Sequence, residues 1–312
     1  MFDYVYRESL ARAVHKVWIL SDLQQSRPEN TERCLDAGIS DFELLGRPAD
    51  AIWYLGDAVE GAEPDRLLAM CRLQEEAFSS LNLPLCYATG NHDYDWARSH
   101  REEAPWMPFY ETVRHHPGWQ TAASCEDFWF RTQIGKYPVY FLCDHIARDN
   151  TWCVTHSRIQ WGGDAYPYTD ASAEELRKRM AEETEPMITC GHYGFSGCNR
   201  DHALMDKLLP LPKTERIHFY GHSHIGDWVW GKKDTWRRIC WVDWHDVPQI
   251  DVSSFENIRG EHCRSVFLHI YADGNMGVFF RDHDHHRFTE VYFPARENEP
   301  EGWNDMRVRY GG

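Results

Sequence analysis

A chain of 312 residues with 42% hydrophobic and 14% aromatic content has a globular composition and can bury a large core, as one large domain or two. Its net charge of −16 argues against a broad nucleic-acid-binding surface. It leaves small anionic substrates open, because bound metal ions can dominate a local potential.

Residues 1–15 carry Asp3, Arg7, Glu8 and Arg12 without an apolar block, so they read as a short leading helix or strand and not as a secretory signal. The apolar run 17–20 then ends in Ser21-Asp22-Leu23-Gln24, and the run Ala51–Leu55 ends in Gly56-Asp57. Pro64 fits the first turn of a helix whose apolar face is Leu67, Met70, Cys71, Ala77, Phe78 and Leu81. The run 85–89 ends in Gly90-Asn91-His92-Asp93. A long aromatic segment, 94–119, follows, and its His115 and His116 read as part of a solvated loop. A loop at 161–168 precedes a helix whose start is marked by Ser172 and Glu175, a capping-box pair. Two further runs, 187–190 and 217–220, end in Gly191-His192 and Gly221-His222-Ser223-His224. Five tryptophans fall within 228–244, where packing against a sheet is the plainer reading and stacking on a base or sugar the sharper one.

Near the C-terminus, 265–271 and 277–281 read as strands joined by a turn at Asp273-Gly274. His283, His285 and His286 then read as a polar strand end and not as a metal cluster. With no low-complexity linker and no internal repeat, the chain reads as one domain over 1–312: motifs within 17–226, strands within 227–295, and a tail at 296–312. The ten cysteines form no C-x-x-C pair, and Cys86, Cys143 and Cys190 lie inside apolar runs. Buried free thiols in a reducing cytoplasm account for that pattern. No apolar run approaches the ~20 residues of a membrane span, so a soluble cytoplasmic protein is expected, with its oligomeric state open.

Each run that precedes a motif is short and partly β-branched or aromatic, as buried strands are. Asp22, Asp57 and Asn91 follow one another at intervals of about 35 residues, the length of a βαβ unit. The fold class is therefore α/β, and in open α/β sheets ligands gather at the carboxyl ends of strands. All five motifs sit at such ends, so one site can collect them. Asp57 has two oxygens and can bridge two cations. Asp22, Gln24 and His224 can complete one site beside it, and Asn91, His192 and His222 the other. Without a thiolate, the set suits Mn, Fe, Co, Ni or Zn. Two such metals ~3.5–4 Å apart can polarise a phosphoryl oxygen and generate a hydroxide nucleophile. His92 is placed to stabilise the transition state or protonate the leaving oxygen, and Glu60 to orient His92.

These motifs, in this order, resemble those of the calcineurin-like metallophosphoesterase superfamily. The resemblance covers roughly 17–226 and implies a four-layer α/β/β/α sandwich with a dinuclear metal site. It assigns Asp22, Asp57 and His224 to one metal and Asp57, Asn91, His192 and His222 to the other, and it pairs His92 with Glu60. Gln24 departs from the usual Asp-x-His. The Asp-x-Gln form resembles the manganese-dependent ADP-ribose/CDP-alcohol diphosphatases and their relatives, which act on phosphoanhydride or phosphodiester bonds. Two divalent ions, Mn²⁺ foremost, are therefore expected, with a small phosphorylated substrate, nucleotide-derived compounds included. The second motif continues Gly-Asp-Ala-Val-Glu-Gly, unlike the Asp-Arg-Gly of protein Ser/Thr phosphatases. A phosphomonoesterase, or a catalytically silent binding module on the same fold, are the alternatives.

Overall fold

A computed structural model describes residues 2–96, 100, 106–124, 127–143, 145–146, 152–153, 170–194, 208, 212–222, 224, 240–244, 247–258 and 262–293. The loop at 161–168, the tail at 296–312, Cys125, Cys198, the Ser172 side chain and most of the tryptophan-rich 228–244 segment lie outside the described residues.

The N-terminal segment is helical: α1 spans Phe2–Arg12 and runs directly into β1, Ala13–Leu20. There follow α2 (Pro28–Leu44), β2 (Ala51–Leu55), α3 (Pro64–Ser80), β3 (Leu85–Ala88) and a 3₁₀ turn at His92–Tyr94. Then come α4 (Pro108–His115), β4 (Trp119–Gln120), β5 (Trp129–Ile134), β6 (Tyr137–Leu142), β7 (His145–Ile146) and β8 (Trp152–Cys153). The remainder is α5 (Asp170–Ala181), β9 (Met187–Gly191), β10 (Glu215–Tyr220), β11 (Cys240–Trp244), β12 (Val247–Asp251), β13 (Arg264–Tyr271), β14 (Met276–Asp282) and β15 (Arg287–Tyr292).

Two elements differ from the sequence reading. The stretch around His115 is not irregular. Pro108 opens a short helix that buries Phe109, Tyr110 and Val113, a face of too few turns to stand out as a period. His116 caps that helix and is packed, its ring stacked on Trp119 at 3.8 Å and its Nε2 2.9 Å from Ser79 Oγ. The later helix begins at Asp170, ahead of the expected Ser172 start.

The strands form two large sheets, ordered β15-β14-β13-β1-β2-β3-β4 and β11-β12-β10-β9-β6-β5, with β7 and β8 as a separate pair. Period-2 alternation builds the layers. In β1, Val17 and Ile19 point between the sheets, where Trp53, Leu55, Val139, Phe141, Ile188, Cys190, Ile217 and Phe219 meet them. Trp18 and Leu20 point the other way, into a layer with Cys34, Leu35 and Phe42 of α2 and Leu67, Met70 and Phe78 of α3. Behind the second sheet, Tyr140 and Leu142 of β6 pack on Leu176 and Met180 of α5. The order helix, sheet, sheet, helix is a four-layer α/β/β/α sandwich. Trp18 is wholly buried and stacks on Phe42 at 4.7 Å. Truncating such a ring costs about 3–5 kcal/mol.

Parallel register sets where the chain crosses the sheet edge. Leu20 pairs with Tyr54, and Leu55 with Ala88. The residues that follow these pairs, from Asp22, Asp57 and Asn91, leave the first sheet side by side. In the second sheet Cys190 pairs with Phe219, which delivers the His192 and His222 loops to the same edge. Among the described residues no helix is long and apolar enough to cross a membrane.

Candidate metal centre

The loops that leave β1, β2, β3, β9 and β10 converge tightly enough to strain the backbone. Asp22, Asp57, His222 and His224 all adopt positive φ, at 58°, 54°, 70° and 45°. Such conformations cost about 1–3 kcal/mol each for non-glycine residues and concentrate at functional sites. The glycines that precede Asn91 and His222 make room. A Cβ on Gly90 would strike the Asp57 carboxylate and the His192 ring, and one on Gly221 would strike Ser21 Oγ and Asp22 Oδ2.

Seven residues were expected here as ligands. Asp22, Gln24, Asp57, Asn91 and His192 are buried, and His222 and His224 are half-buried. Asp57, His192 and His222 place ligand atoms within 4.8 Å of one another, and Asp22, Asp57 and His224 form a second such group. The two groups share Asp57. His192 Nε2 lies 3.1 Å from Asp57 Oδ2, and His222 Nδ1 lies 3.2 Å from His192 Nε2. The Leu55 carbonyl accepts a bond from His192 Nδ1 at 2.8 Å, which fixes the proton there and turns the bare Nε2 to the site. Asn91 Oδ1 accepts a bond from Tyr193 OH at 3.2 Å.

One atom tests whether the cluster suits a metal ion. Asp22 Oδ1 is buried and accepts no hydrogen bond, although His224 Nε2 stands 3.2 Å away. A buried carboxylate oxygen left in that state costs free energy. A cation between it and the imidazole nitrogens would satisfy both, so the donor set fits divalent metal. The charges act in the same sense. Burial works to raise the Asp22 and Asp57 pKa values, but the facing histidines more than offset it and hold both below the usual carboxylate range. His224 is lowered by burial and raised more strongly by Asp22 and Glu256, to about 9.

Asp93, the last residue of the third motif, is a brace. Its carboxylate accepts bonds from the N–H groups of Asp57 (3.0 Å), Ala58 (3.0 Å) and Gly90 (2.7 Å). Burial first, and the Asp57 charge second, push its pKa up to about 7.

His92 is anchored by its backbone N–H on Asp57 Oδ1 at 2.8 Å. Its ring Nδ1 meets Asp95 Oδ2 at 2.7 Å, and Asp95 also accepts the Gly61 N–H at 3.1 Å. Asp95 thus bonds the His92 ring directly, and Glu60, expected to orient it, adds its charge to the field on the ring. The cause is local. The 3₁₀ turn brings residues three apart into contact, and His-x-x-Asp within 92–95 was the available signal. Burial lowers the His92 pKa, but Asp57 and Asp95 outweigh it and the value is raised.

A third group, His262, Asp282 and His285, also places ligand atoms within 4.8 Å. Here Asp282 Oδ2 is already occupied by His285 Nδ1 at 2.9 Å and Arg287 Nε at 3.2 Å. His283 and His286 hydrogen-bond Asp41 at 2.8 and 2.7 Å, beside the Arg281–Asp41 ion pair, so these histidines brace a turn, in keeping with their reading as a polar strand end.

Residues 15–226 match the family model for calcineurin-like phosphoesterases. The structure resembles that of a dimetal phosphatase from Danio rerio, at 9% identity and TM-score 0.59, over 87% of this chain and 97% of that one. It is also similar to TT1561 of Thermus thermophilus, at 15% identity and TM-score 0.47, over 90% and 99% of the two chains. The first of these likenesses shows the sandwich fold. No curated protein matches the sequence.

Proposed function

The chain belongs to the calcineurin-like phosphoesterase family, and from that premise we propose that it hydrolyses a phosphodiester or pyrophosphate bond of a small molecule at a dinuclear metal centre. As a family member it is a metal-dependent phosphoester hydrolase. The observation that carries the dinuclear reading is the pair of ligand groups that share Asp57. Asp22, Gln24, Asp57 and His224 would hold one ion, and Asp57, Asn91, His192 and His222 the other. Two divalent ions, when bound, supply Lewis acidity at the phosphoryl group and acidify the attacking water.

The chain's own residues do the rest. Asp93 fixes the Asp57 and Gly90 loops by three backbone bonds, so the shared carboxylate is oriented before anything binds. Leu55 O sets the His192 tautomer. His92, held by Asp95, presents Nε2 as the proton donor to the departing oxygen. Gln24 offers a neutral oxygen where an imidazole is usual in the family, and a harder donor set favours Mn²⁺. The Asp-x-Gln resemblance supports a diester or anhydride substrate, nucleotide-derived compounds included.

The test is a hydrolysis panel with Mn²⁺, comparing phosphomonoesters, phosphodiesters, cyclic nucleotides and nucleoside diphosphate derivatives. Turnover concentrated on diesters or diphosphate derivatives is expected. Preference for monoesters would contradict the substrate class, and no turnover with any metal would contradict the enzyme.

A further inference from the structure

We propose that Glu256 is a positioning residue for the first metal site: it orients His224 and offsets the weak neutral donor that Gln24 supplies. This rests on the dinuclear reading above. Glu256 lies outside 15–226, on the loop that follows β12, and is 1% exposed. Its Oε1 stands 3.0 Å from His224 Nδ1. Its Oε2 accepts the Gln25 side-chain amide at 3.2 Å and the Ile258 N–H at 2.6 Å.

An ionised carboxylate only accepts, so when His224 ligates a metal as a neutral ring the proton it keeps must sit on Nδ1. That leaves Nε2 as the lone-pair donor, on the side where Asp22 Oδ1 waits at 3.2 Å. A ligating imidazole whose other nitrogen is bonded to a carboxylate is a stronger donor and a better fixed one. His192, in the second site, is backed instead by the neutral Leu55 carbonyl. The anionic backing thus falls on the site that holds Gln24.

The loop that carries Glu256 is itself held. Val252 N bonds Tyr220 O at 2.8 Å, and Phe255 N bonds Ser21 O at 2.7 Å. The Phe255 ring packs on Trp18 at 5.6 Å and lies so close to Gly38 of α2 that any Cβ there would strike it. Gln25, next to Gln24, donates to the same carboxylate, which ties the first motif to the Glu256 loop.

The experiment is a Mn²⁺ titration of chelator-stripped protein, with free Mn²⁺ read by electron paramagnetic resonance. The unmodified chain should bind two ions, one more weakly. Glu256→Gln should weaken that class about 10–100-fold and leave the tighter class as it was. Adding Gln24→His to Glu256→Gln should recover part of the loss. If Glu256→Gln does not fold, Glu256→Asp keeps the charge but shortens its reach, and the same selective loss is expected of it. A Glu256→Gln chain that titrates like the unmodified one would overturn the inference while leaving the dinuclear reading standing. Equal weakening of both classes would also overturn it, since the contact touches His224 and no second-site ligand. An unmodified chain that bound no Mn²⁺ would overturn both.

Discussion

Two histidine–carboxylate clusters sit at opposite fates in this molecule. At the turn between β14 and β15, Asp41 takes Arg281 at both oxygens, 2.7 and 2.8 Å, and His283 and His286 besides. Every valence there is met by protein. At the loops after β1, β2, β9 and β10, Asp22 Oδ1 accepts no hydrogen bond, four residues are held at positive φ against one, His286, at the turn, and imidazole nitrogens face carboxylates. Residue type does not separate the two clusters. Saturation does: one is an ion-paired brace, and the other keeps unspent ligand capacity in a strained frame.

Removing the shared ligand should break that contrast most severely. Asp57→Asn is expected to lose at least one metal and nearly all activity, read by elemental analysis and turnover. Two metals retained at unchanged turnover would refute the sharing. Next in size, His92→Ala should keep the metals and lower kcat by ~10²–10⁴-fold, with a smaller loss for a substrate with a good leaving group such as p-nitrophenol. Equal losses for good and poor leaving groups would leave charge stabilisation as its role. Asp95→Asn should lower kcat less than His92→Ala and more than Glu60→Gln, and the reverse order would give the orienting role to Glu60.

The saturated cluster should respond in stability and not in chemistry. Arg281→Met leaves Asp41 a buried charge without its guanidinium, at a cost of about 3–5 kcal/mol. Denaturant melts should show that loss while metal stoichiometry stays at the unmodified value. Loss of metal in the folded variant would show that the two clusters are not separate.

A last test concerns Glu215, whose hydroxyl partner is Thr189 and whose Oε2 has no hydrogen bond. Burial pushes its pKa up to about 8. A carboxyl raised in the folded state stabilises fully below its unfolded value near 4.3, and that contribution is lost as pH rises through about 8. Glu215→Gln removes the titration. Its melting temperature should exceed that of the unmodified chain above pH ~8 and lose that advantage near pH ~5. A constant difference across that range would show that the Glu215 pKa is not raised in the fold.

Most of the frame was legible before any coordinates. Four apolar runs end on a motif glycine and a fifth on Ser21, and parallel register then brings the five run ends to one edge. Glu256, the Asp41 brace and Asp95 were not legible in the same way. Glu256 and Asp41 act across 32 and 240 positions of sequence, on His224 and Arg281. No local period announces such a contact. Asp95 was within reach, three residues from His92, but a carboxylate at that spacing gains meaning only once a 3₁₀ turn is known. The helix at Pro108–His115 escaped because Phe109, Tyr110 and Val113 give one short face amid other aromatics.

The contrast between the clusters is tested most directly by anomalous diffraction from crystals grown with Mn²⁺. Two peaks ~3.5–4 Å apart that flank the Asp57 carboxylate are expected, with none at Asp41 or at His262, Asp282 and His285. A single peak remote from Asp57, or a peak at the ion-paired turn and none between Asp22 and His192, would contradict the account.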